Sequence, residues 1–178
     1  MKKMFQMFRD SLREFKDLRT IVIAALMGSL AVVLRYVATI NIGPYIRIGF
    51  SGMPNRVVEL LFGPVVGSFF GGSMDIVNYF MRPTGPFFPG FTLNAIILGL
   101  IYGVLLYKKP VKMSRVFIAV FLEKTVINCG LTTLWLSMLY GKGFMAILPM
   151  RIVANAIMLP IDFVIFQPLV YCLHRYIF

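Results

Sequence analysis

Long apolar runs alternate with short polar or Pro/Gly-rich breaks along most of the chain. A membrane-spanning helix needs about 20 residues, and these runs predict six spans: 20–38, 52–62, 64–82, 90–107, 114–139 and 144–175. The second run is short, and the last two are long enough to tilt. The strongest breaks are Gly63-Pro64, which predicts a very tight turn, and Pro83–Gly90. The pattern therefore predicts an all-α integral membrane protein.

Residues 1–19 have a different pattern, in which apolar and charged residues alternate at helical spacing. Met4, Phe8 and Leu12 would lie on a membrane surface while Arg9 and Arg13 face headgroups. The alternative is a frayed basic flank. We predict two regions: a cytoplasmic amphipathic N-terminal segment over 1–19 and a six-helix membrane domain over 20–178.

Composition supports the membrane assignment. Of the 178 residues, 59% are hydrophobic and 14% are charged, whereas soluble domains have about 45–50% apolar and 25% charged residues. This excludes a soluble enzyme, a disordered tail and a nucleic-acid-binding module. The net charge of +11 comes from basic residues clustered before the first run and around Lys108–Arg115. Because cytoplasmic flanks are enriched in Lys and Arg, both termini are predicted to be cytoplasmic.

The sequence contains no common catalytic or nucleotide-binding motif. HExxH, GxSxG, GxGxxG and the P-loop are all missing, and the only histidine is His174. The two cysteines, Cys129 and Cys172, have no metal-ligand spacing. The sequence therefore predicts a non-enzymatic chain without a metal site or a cofactor, and any ATP use would belong to partner subunits.

Polar residues within the runs share helix faces. Arg151, Asn155 and Asp162 are four and eleven residues apart, and these offsets fall on one face of an α-helix. The other stripes are Lys124, Asn128 and Trp135 in the fifth run, Asp75, Asn78 and Arg82 in the third, and Phe91 and Asn94 in the fourth. Polar groups at membrane depth face the protein interior or water. Four such stripes predict a central polar cavity that opens outward and is cationic near its mouth.

Several of these charges have structural alternatives. Glu59 and Asp162 would serve as ion-pair partners or as ligand contacts. Glu123 and Lys124 are adjacent, so only one of them is expected to follow the stripe, and Lys124 fits it. Arg82 would also be explained by snorkelling at the interface.

Short motifs point to a family. The segments GPYIRIGFSGMPN (43–55), GPVVG (63–67) and RPTGPFFPGFTLNAII (82–97) resemble the substrate-binding S components of energy-coupling factor (ECF) vitamin transporters. They are most similar to the folate-specific S component.

The resemblance implies an architecture and partners. S components bind a vitamin from outside and then associate with a transmembrane coupling protein and two cytoplasmic ATPases in the cell membrane. Lid loops would correspond to Ile40–Gly52 and Pro83–Pro89, with gating residues Pro44, Tyr45, Arg47, Gly85 and Pro86. The coupling contact would involve small residues of the first helix: Ala24, Ala25, Gly28 and Ser29.

The chemistry of folate suits the predicted cavity. Asp75 would accept two pterin N–H groups, aromatic walls would stack on the rings, and Arg or Lys would pair with the glutamate carboxylates. The predicted folate-binding residues are Asp75, Arg35, Arg82, Phe87, Phe88, Phe91, Asn94, Lys124, Asn128, Trp135, Arg151 and Asn155.

Other functions remain open from the sequence. One alternative is an S component for another vitamin, such as riboflavin, pantothenate or thiamine. A self-sufficient secondary transporter would couple protons through Asp75 or Asp162. A structural membrane protein would bind no small molecule.

Overall fold

The computed structural model describes residues 2–42, 46–81, 83, 85–109, 112–141 and 143–177, with side chains described at neither 2–3, 39–42, 46–48 nor 174–177. Helices dominate these residues. The elements are α1 (Lys2–Glu14), α2 (Leu18–Val37), β1 (Thr39–Ile42), β2 (Ile46–Gly49), α3 (Met53–Met81), α4 (Pro89–Leu106), α5 (Met113–Leu122), α6 (Thr132–Tyr140) and α7 (Phe144–Ile177). A π-helical segment, Glu123–Leu131, joins α5 to α6 in one continuous helical run.

Five of the described helical stretches are long and apolar enough to cross a membrane: Leu18–Val37, Met53–Met81, Pro89–Leu106, Met113–Tyr140 and Phe144–Leu173. The predicted helical, multi-span class is therefore confirmed, with five candidate spans among the described residues where the sequence predicted six. The predicted boundaries lie within a few residues of the observed ones. The predicted second and third spans both fall within α3.

Helix α3 is a helical hairpin that reverses at Gly63. This glycine has φ 84° and ψ −171°, a conformation that L side chains rarely adopt, and Pro64 begins the next helical stretch. Glu59 packs directly against Gly67, although eight residues of straight helix would separate them by about 12 Å. We call residues 53–62 the short limb and residues 64–81 the long limb. The tight turn predicted from Gly63-Pro64 is confirmed.

Helix α1 is fastened to this turn. The hydroxyl of Ser11 donates to the carbonyl of Phe62 at 2.7 Å and accepts from the N–H groups of Val65 and Val66 at 3.1 and 3.2 Å. These are backbone groups that a helix end and a helix start leave without intrahelical partners. The turn, α1 and the last residues of α4 form what we call the closed end of the bundle.

Close packing between α3 and α4 depends on glycines. A Cβ at Gly99 would lie 2.5 Å from the backbone nitrogen of Ser68, and one at Gly103 would overlap the backbone of Pro64. A Cβ at Gly71 would lie 2.8 Å from the carbonyl oxygen of Ala95. Small residues let helices approach closely in lipid, and here they serve contacts within the chain.

A short β-hairpin departs from the sequence prediction, which had a loop over Ile40–Gly52. Strands β1 and β2 pair antiparallel, with Thr39 opposite Gly49 and Ile42 opposite Ile46. The physical reason for the strands is that Ile alternates with other residues in both segments. β-branched residues with period-2 spacing favour strands.

Candidate functional site

A cavity of about 640 Å³ lies between the helices at the end of the bundle opposite the closed end. Its walls come from the last turn of α2, both ends of α3, the start of α4, the π-helical segment with α6, and the first half of α7. The lining residues are Arg35, Gly49, Ser51, Gly52, Arg56, Asp75, Tyr79, Gly85, Pro86, Phe87, Phe88, Phe91, Glu123, Lys124, Asn128, Thr132, Leu136, Leu139, Tyr140, Arg151, Ala154, Asn155, Met158 and Asp162. The volume suits a drug-sized organic molecule.

Asp75 differs from the other cavity carboxylates. Within the described part of the chain it has no ion-pair partner, and its Oδ2 accepts a 2.8 Å hydrogen bond from the hydroxyl of Thr92. Helix α3 places it on the long limb, about two turns before the loop that leads to α4. A half-buried carboxylate held by a neutral donor keeps its charge available for donors of a bound molecule.

The other two carboxylates, Glu123 and Asp162, are engaged at the bottom of the cavity. Nη2 of Arg56 lies 2.6 Å from Oε1 of Glu123 and 3.2 Å from Oδ2 of Asp162. Nζ of Lys124 lies 2.6 Å from Oδ2 of Asp162. We call these four residues the floor cluster. The structure thus favours the ion-pair alternative for Asp162.

Besides Arg56, two arginines bring positive charge to the cavity. Arg35 reaches it from the last turn of α2, and Arg151 reaches it from α7. Nη1 of Arg151 donates to the carbonyl of Asn128 at 3.0 Å, which ties α7 to the π-helical segment. Asn155, one turn further along α7, donates to Sγ of Cys129 at 3.4 Å.

An aromatic wall closes one side. Phe87 makes an edge contact with Tyr79 at a centroid distance of 5.1 Å, and Phe88 packs on Phe91 at 6.1 Å. Trp135 lies behind this wall, 5.5 Å from the Phe88 ring. Its indole N–H donates to Oδ1 of Asn94 at 3.0 Å. Flat rings suit the binding of flat heterocycles by stacking or edge contacts.

Asn94 and Trp135 are not among the lining residues. Asn94 is buried, and its amide donates to the hydroxyl of Thr132 at 3.0 Å. Both residues therefore support the wall from one layer behind, with Thr132 and Phe88 standing between them and the cavity. Their predicted contact with a ligand would be indirect in this arrangement.

The π-helical segment alters the predicted stripe of the fifth run. Lys124 and Asn128 line the cavity, but the next lining positions are Thr132 and Leu136 rather than Trp135. In a π-helix each backbone hydrogen bond spans five residues instead of four. Each turn therefore contains more residues than a turn of α-helix, and the positions that face the cavity are spaced further apart in the sequence. Glu123 and Lys124 both line the cavity, so the expectation that only one of them would do so was wrong.

Of the remaining predicted site residues, Gly85 and Pro86 line the cavity at its mouth. Arg82, Pro44 and Tyr45 lie outside the described residues, as does the side chain of Arg47. Asn78, which shares the Asp75 stripe, is buried but is not a lining residue.

The four small residues of α2 fall on two different faces. Gly28 is buried, and a Cβ added to it would lie 3.2 Å from Sδ of Met74. Ala24 is half-buried beside the packed side chains of Val58 and Phe62. Ala25 and Ser29 are exposed. The Ala24/Gly28 face is therefore an internal packing face, and the Ala25/Ser29 face points outward.

Sequence reasoning missed several lining residues, among them Arg56, Tyr79, Thr132 and Tyr140. Tyr79 is four residues after Asp75, so helical spacing alone would have found it. Thr132 and Tyr140 depend on the π-helical segment, which had no sequence signal. Within the described residues no group of three or more His, Cys, Asp or Glu side chains could hold a metal ion.

A profile of the family described as ECF transporter, substrate-specific component, matches residues 19–170. The chain belongs to this family: it is the substrate-specific component of a transporter, and its apolar helices make it a multi-pass membrane protein.

Named relatives carry the comparison further. The chain is 35% identical over 150 residues to the folate transporter FolT of Clostridium novyi, covering 84% of this chain and 87% of the relative. It is 32% identical over 154 residues to the folate transporter FolT of Leuconostoc mesenteroides, covering 82% and 81%. A crystal structure of FolT bound with folic acid superposes with a TM-score of 0.79 at 30% identity, covering 86% of this chain and 93% of that one.

Proposed function

We propose that this protein is the folate-binding S component of an ECF-type vitamin transporter. The observation that carries the proposal is the likeness to a FolT structure bound with folic acid over 86% of the chain. Two curated folate transporters at 35% and 32% identity support it. The cavity supports it independently, because it combines aromatic rings, two arginines in addition to Arg56, and a carboxylate without an ion-pair partner among the described residues.

Each part of folate has a complementary group in the cavity. Asp75 accepts the amino group and the neighbouring ring N–H of the pterin, a bidentate pairing for a carboxylate. The aromatic wall of Phe87, Phe88 and Phe91 contacts the flat rings. Arg35 and Arg151 pair with the glutamate carboxylates through charge-assisted hydrogen bonds. Asn128, Asn155 and Lys124 complete the polar lining.

The proposed orientation places both termini in the cytoplasm and the cavity mouth on the outer side of the cell membrane. The closed end carries the basic residues of α1 together with those around Lys108 and Arg115, and cytoplasmic flanks are rich in such residues. In this orientation α1 lies at the cytoplasmic membrane surface. Under this proposal Gly85 and Pro86, together with Pro44, Tyr45 and Arg47, gate the outer mouth.

ATP-driven uptake requires partner subunits under this proposal. The sequence has no P-loop, so a transmembrane coupling protein and two cytoplasmic ATPases supply the energy, and the chain itself uses no cofactor. The coupling protein contacts the outward face of α2 at Ala25 and Ser29, where small side chains permit close helix approach.

Ligand binding tests the proposal directly. The purified full chain in detergent is titrated calorimetrically with folate, riboflavin, pantothenate, thiamine and biotin, without ATP. Folate is expected to bind most tightly and with one molecule per chain. Tighter binding of any other vitamin would reject the folate assignment.

A second experiment tests dependence on partners. Proteoliposomes that contain only this chain are compared with proteoliposomes that also contain a coupling protein and ATPases. Folate is expected to accumulate only in the second set. It should do so only when ATP is present on the side of the membrane where the ATPases are exposed. Accumulation by the chain alone in a proton gradient would support the secondary-transporter alternative instead.

A further inference from the structure

The floor cluster of Arg56, Glu123, Lys124 and Asp162 is electrically balanced. Two cations face two carboxylates, and both carboxylates make ion pairs of 2.6 Å. The hydroxyl of Tyr102 also donates to Oε2 of Glu123. All five side chains are buried. Because a buried charge needs a partner, the two cations of the floor cluster are fully used by these two acids.

A third acid, Glu59, lies one helical turn below Arg56 on the short limb of α3. Its residue exposure is 2%, and it has no ion pair among the described residues. Its Oε2 is buried and has no hydrogen-bond partner in the described part of the chain. The side chain is pressed against Gly67 of the long limb, so it has little space in which to turn towards solvent.

The charged and titratable groups around Glu59 come from four elements. Arg56 shares its helix and is linked to Glu123 of the π-helical segment, to Asp162 of α7 and to Tyr102 of α4, whose ring centroid lies 5.5 Å from the guanidinium carbon. Lys124 joins this set through its ion pair with Asp162. Arg56 is directed at Glu123 and Asp162, with no nitrogen within ion-pair distance of Glu59. An ionised Glu59 would thus add a third negative charge to a cluster that has two positive ones.

Hydrogen-bond chemistry also disfavours the ionised form. An ionised carboxylate can only accept hydrogen bonds, whereas a protonated carboxyl also donates one. No donor within the described residues bonds to Oε2 of Glu59, so a carboxylate oxygen buried there would lack the hydrogen bonds that a charge needs.

We propose that Glu59 is a proton-binding site that holds its proton at neutral pH in the folded protein. The proton keeps the five-residue set of Glu59 and the floor cluster electrically neutral. When it is removed, Glu59 competes with Glu123 and Asp162 for Arg56, which loosens the base of the ligand cavity. The ligand of this site is a single proton.

The proposal has a thermodynamic consequence. In the unfolded chain a glutamate has a pKa of about 4.3. At neutral pH the folded protein therefore binds one more proton than the unfolded chain. Stability then falls as pH rises through neutrality. Glu59→Gln, which mimics the neutral acid in shape and charge, removes this contribution to the slope.

The experiment uses the full chain in lipid nanodiscs and two matched variants, Glu59→Gln and Glu123→Gln. Infrared spectra should show a protonated-carboxyl C=O band at neutral pH in the wild type but not in Glu59→Gln. The band should weaken in Glu123→Gln, where an ionised Glu59 would be only the second acid beside the two cations. Melting temperature is measured from mildly acidic to mildly alkaline pH. The wild type should lose several degrees over this range, and Glu59→Gln should lose less. At neutral pH Glu59→Gln should melt above the wild type, because its folding needs no proton uptake, while Glu123→Gln should melt lower because it leaves Arg56 with one partner fewer.

Two results would overturn the proposal. One is an infrared band that is absent from the wild type at neutral pH or unchanged in Glu59→Gln. The other is a Glu59→Gln variant as unstable as Glu123→Gln at neutral pH, which would mean that an ionised Glu59 has an essential cation partner. If Glu59→Gln does not fold, the carboxyl band of the wild type is followed as the pH is raised. A band that is present at neutral pH and disappears at alkaline pH supports the proposal, and a band that is absent at neutral pH rejects it.

Discussion

The hydroxyl of Thr92 on α4 donates a 2.8 Å hydrogen bond to Oδ2 of Asp75 on α3, across the interface that the glycines of both helices make close. The bond fixes the carboxylate of a residue that lines the cavity, and each carboxylate oxygen keeps lone pairs for further donors. This geometry makes Asp75 a pre-organised acceptor for a molecule that offers two adjacent N–H groups.

Asp75→Asn is therefore expected to weaken folate binding strongly. The amide replaces one acceptor with a donor that faces a pterin donor. Removing a buried charged hydrogen-bond partner costs about 2–5 kcal/mol, or roughly 30- to several-thousand-fold in affinity. Calorimetry measures the affinity and a thermal melt of the same variant measures its stability. Thr92→Val is the matched control and should lose far less affinity. A folate affinity of Asp75→Asn within about threefold of wild type would remove Asp75 from the site.

Arg151→Gln tests the opposite end of the ligand. A hydrogen bond to a charged group contributes about 1.5–3 kcal/mol, which corresponds to roughly 10- to 150-fold in affinity. The loss should appear with folate and be nearly absent with pteroic acid, which lacks the glutamate. Calorimetric titration of both ligands into both proteins forms a double-variant cycle. An equal loss with the two ligands would instead indicate that Arg151 acts by holding the carbonyl of Asn128.

Ala25→Leu should leave folate binding intact and reduce uptake by the assembled transporter. Ala25 is exposed on α2, and a larger side chain would keep a neighbouring helix at a distance. Ala156→Leu, at an exposed position of α7, is the control and should transport normally. Gly28→Leu should behave differently and lower the melting temperature, because Gly28 packs on Met74 and Phe70. Normal uptake by Ala25→Leu would place the coupling contact elsewhere.

Gly103→Ala should destabilise the fold, since its methyl group would overlap the backbone of Pro64. Overpacking of this kind costs about 1–3 kcal/mol, and each kcal/mol lowers the melting temperature by about 2–4 °C in a chain of this size. Gly143→Ala is the control, because nothing lies within 4 Å of its added Cβ. Equal melting temperatures for the two variants would show that α4 can move away from the α3 turn at little cost.

Much of the architecture follows from local signals in the sequence. Gly63-Pro64 identifies the α3 reversal because few other dipeptides both permit a positive φ and begin a helix. Arg151, Asn155 and Asp162 do line one cavity, because α7 keeps regular spacing through this region. These are properties of short stretches, and they need no knowledge of the neighbouring helices.

The departures arise from interactions between elements. The π-helical segment shifts the cavity face after Asn128, and nothing in the spacing of Lys124, Asn128 and Trp135 signals it. Trp135 and Asn94 satisfy each other's polar groups behind the wall, a pairing between two helices that a single-helix stripe cannot reveal. The ion pairs of Arg56 with Glu123 and Asp162 are likewise separated by 67 and 106 residues.

The short limb of α3 has a consequence for where water reaches. Its ten residues, 53–62, extend about 15 Å, which is half of a hydrocarbon core of about 30 Å. Above it the chain continues as Gly49, Ser51 and Gly52, whose non-helical backbone cannot face lipid tails and must be enclosed by protein or hydrated. The cavity occupies the volume that a full-length helix would have filled. A truncated helix thus leaves room for a polar vestibule, which Gly49, Ser51 and Gly52 line together with Arg56.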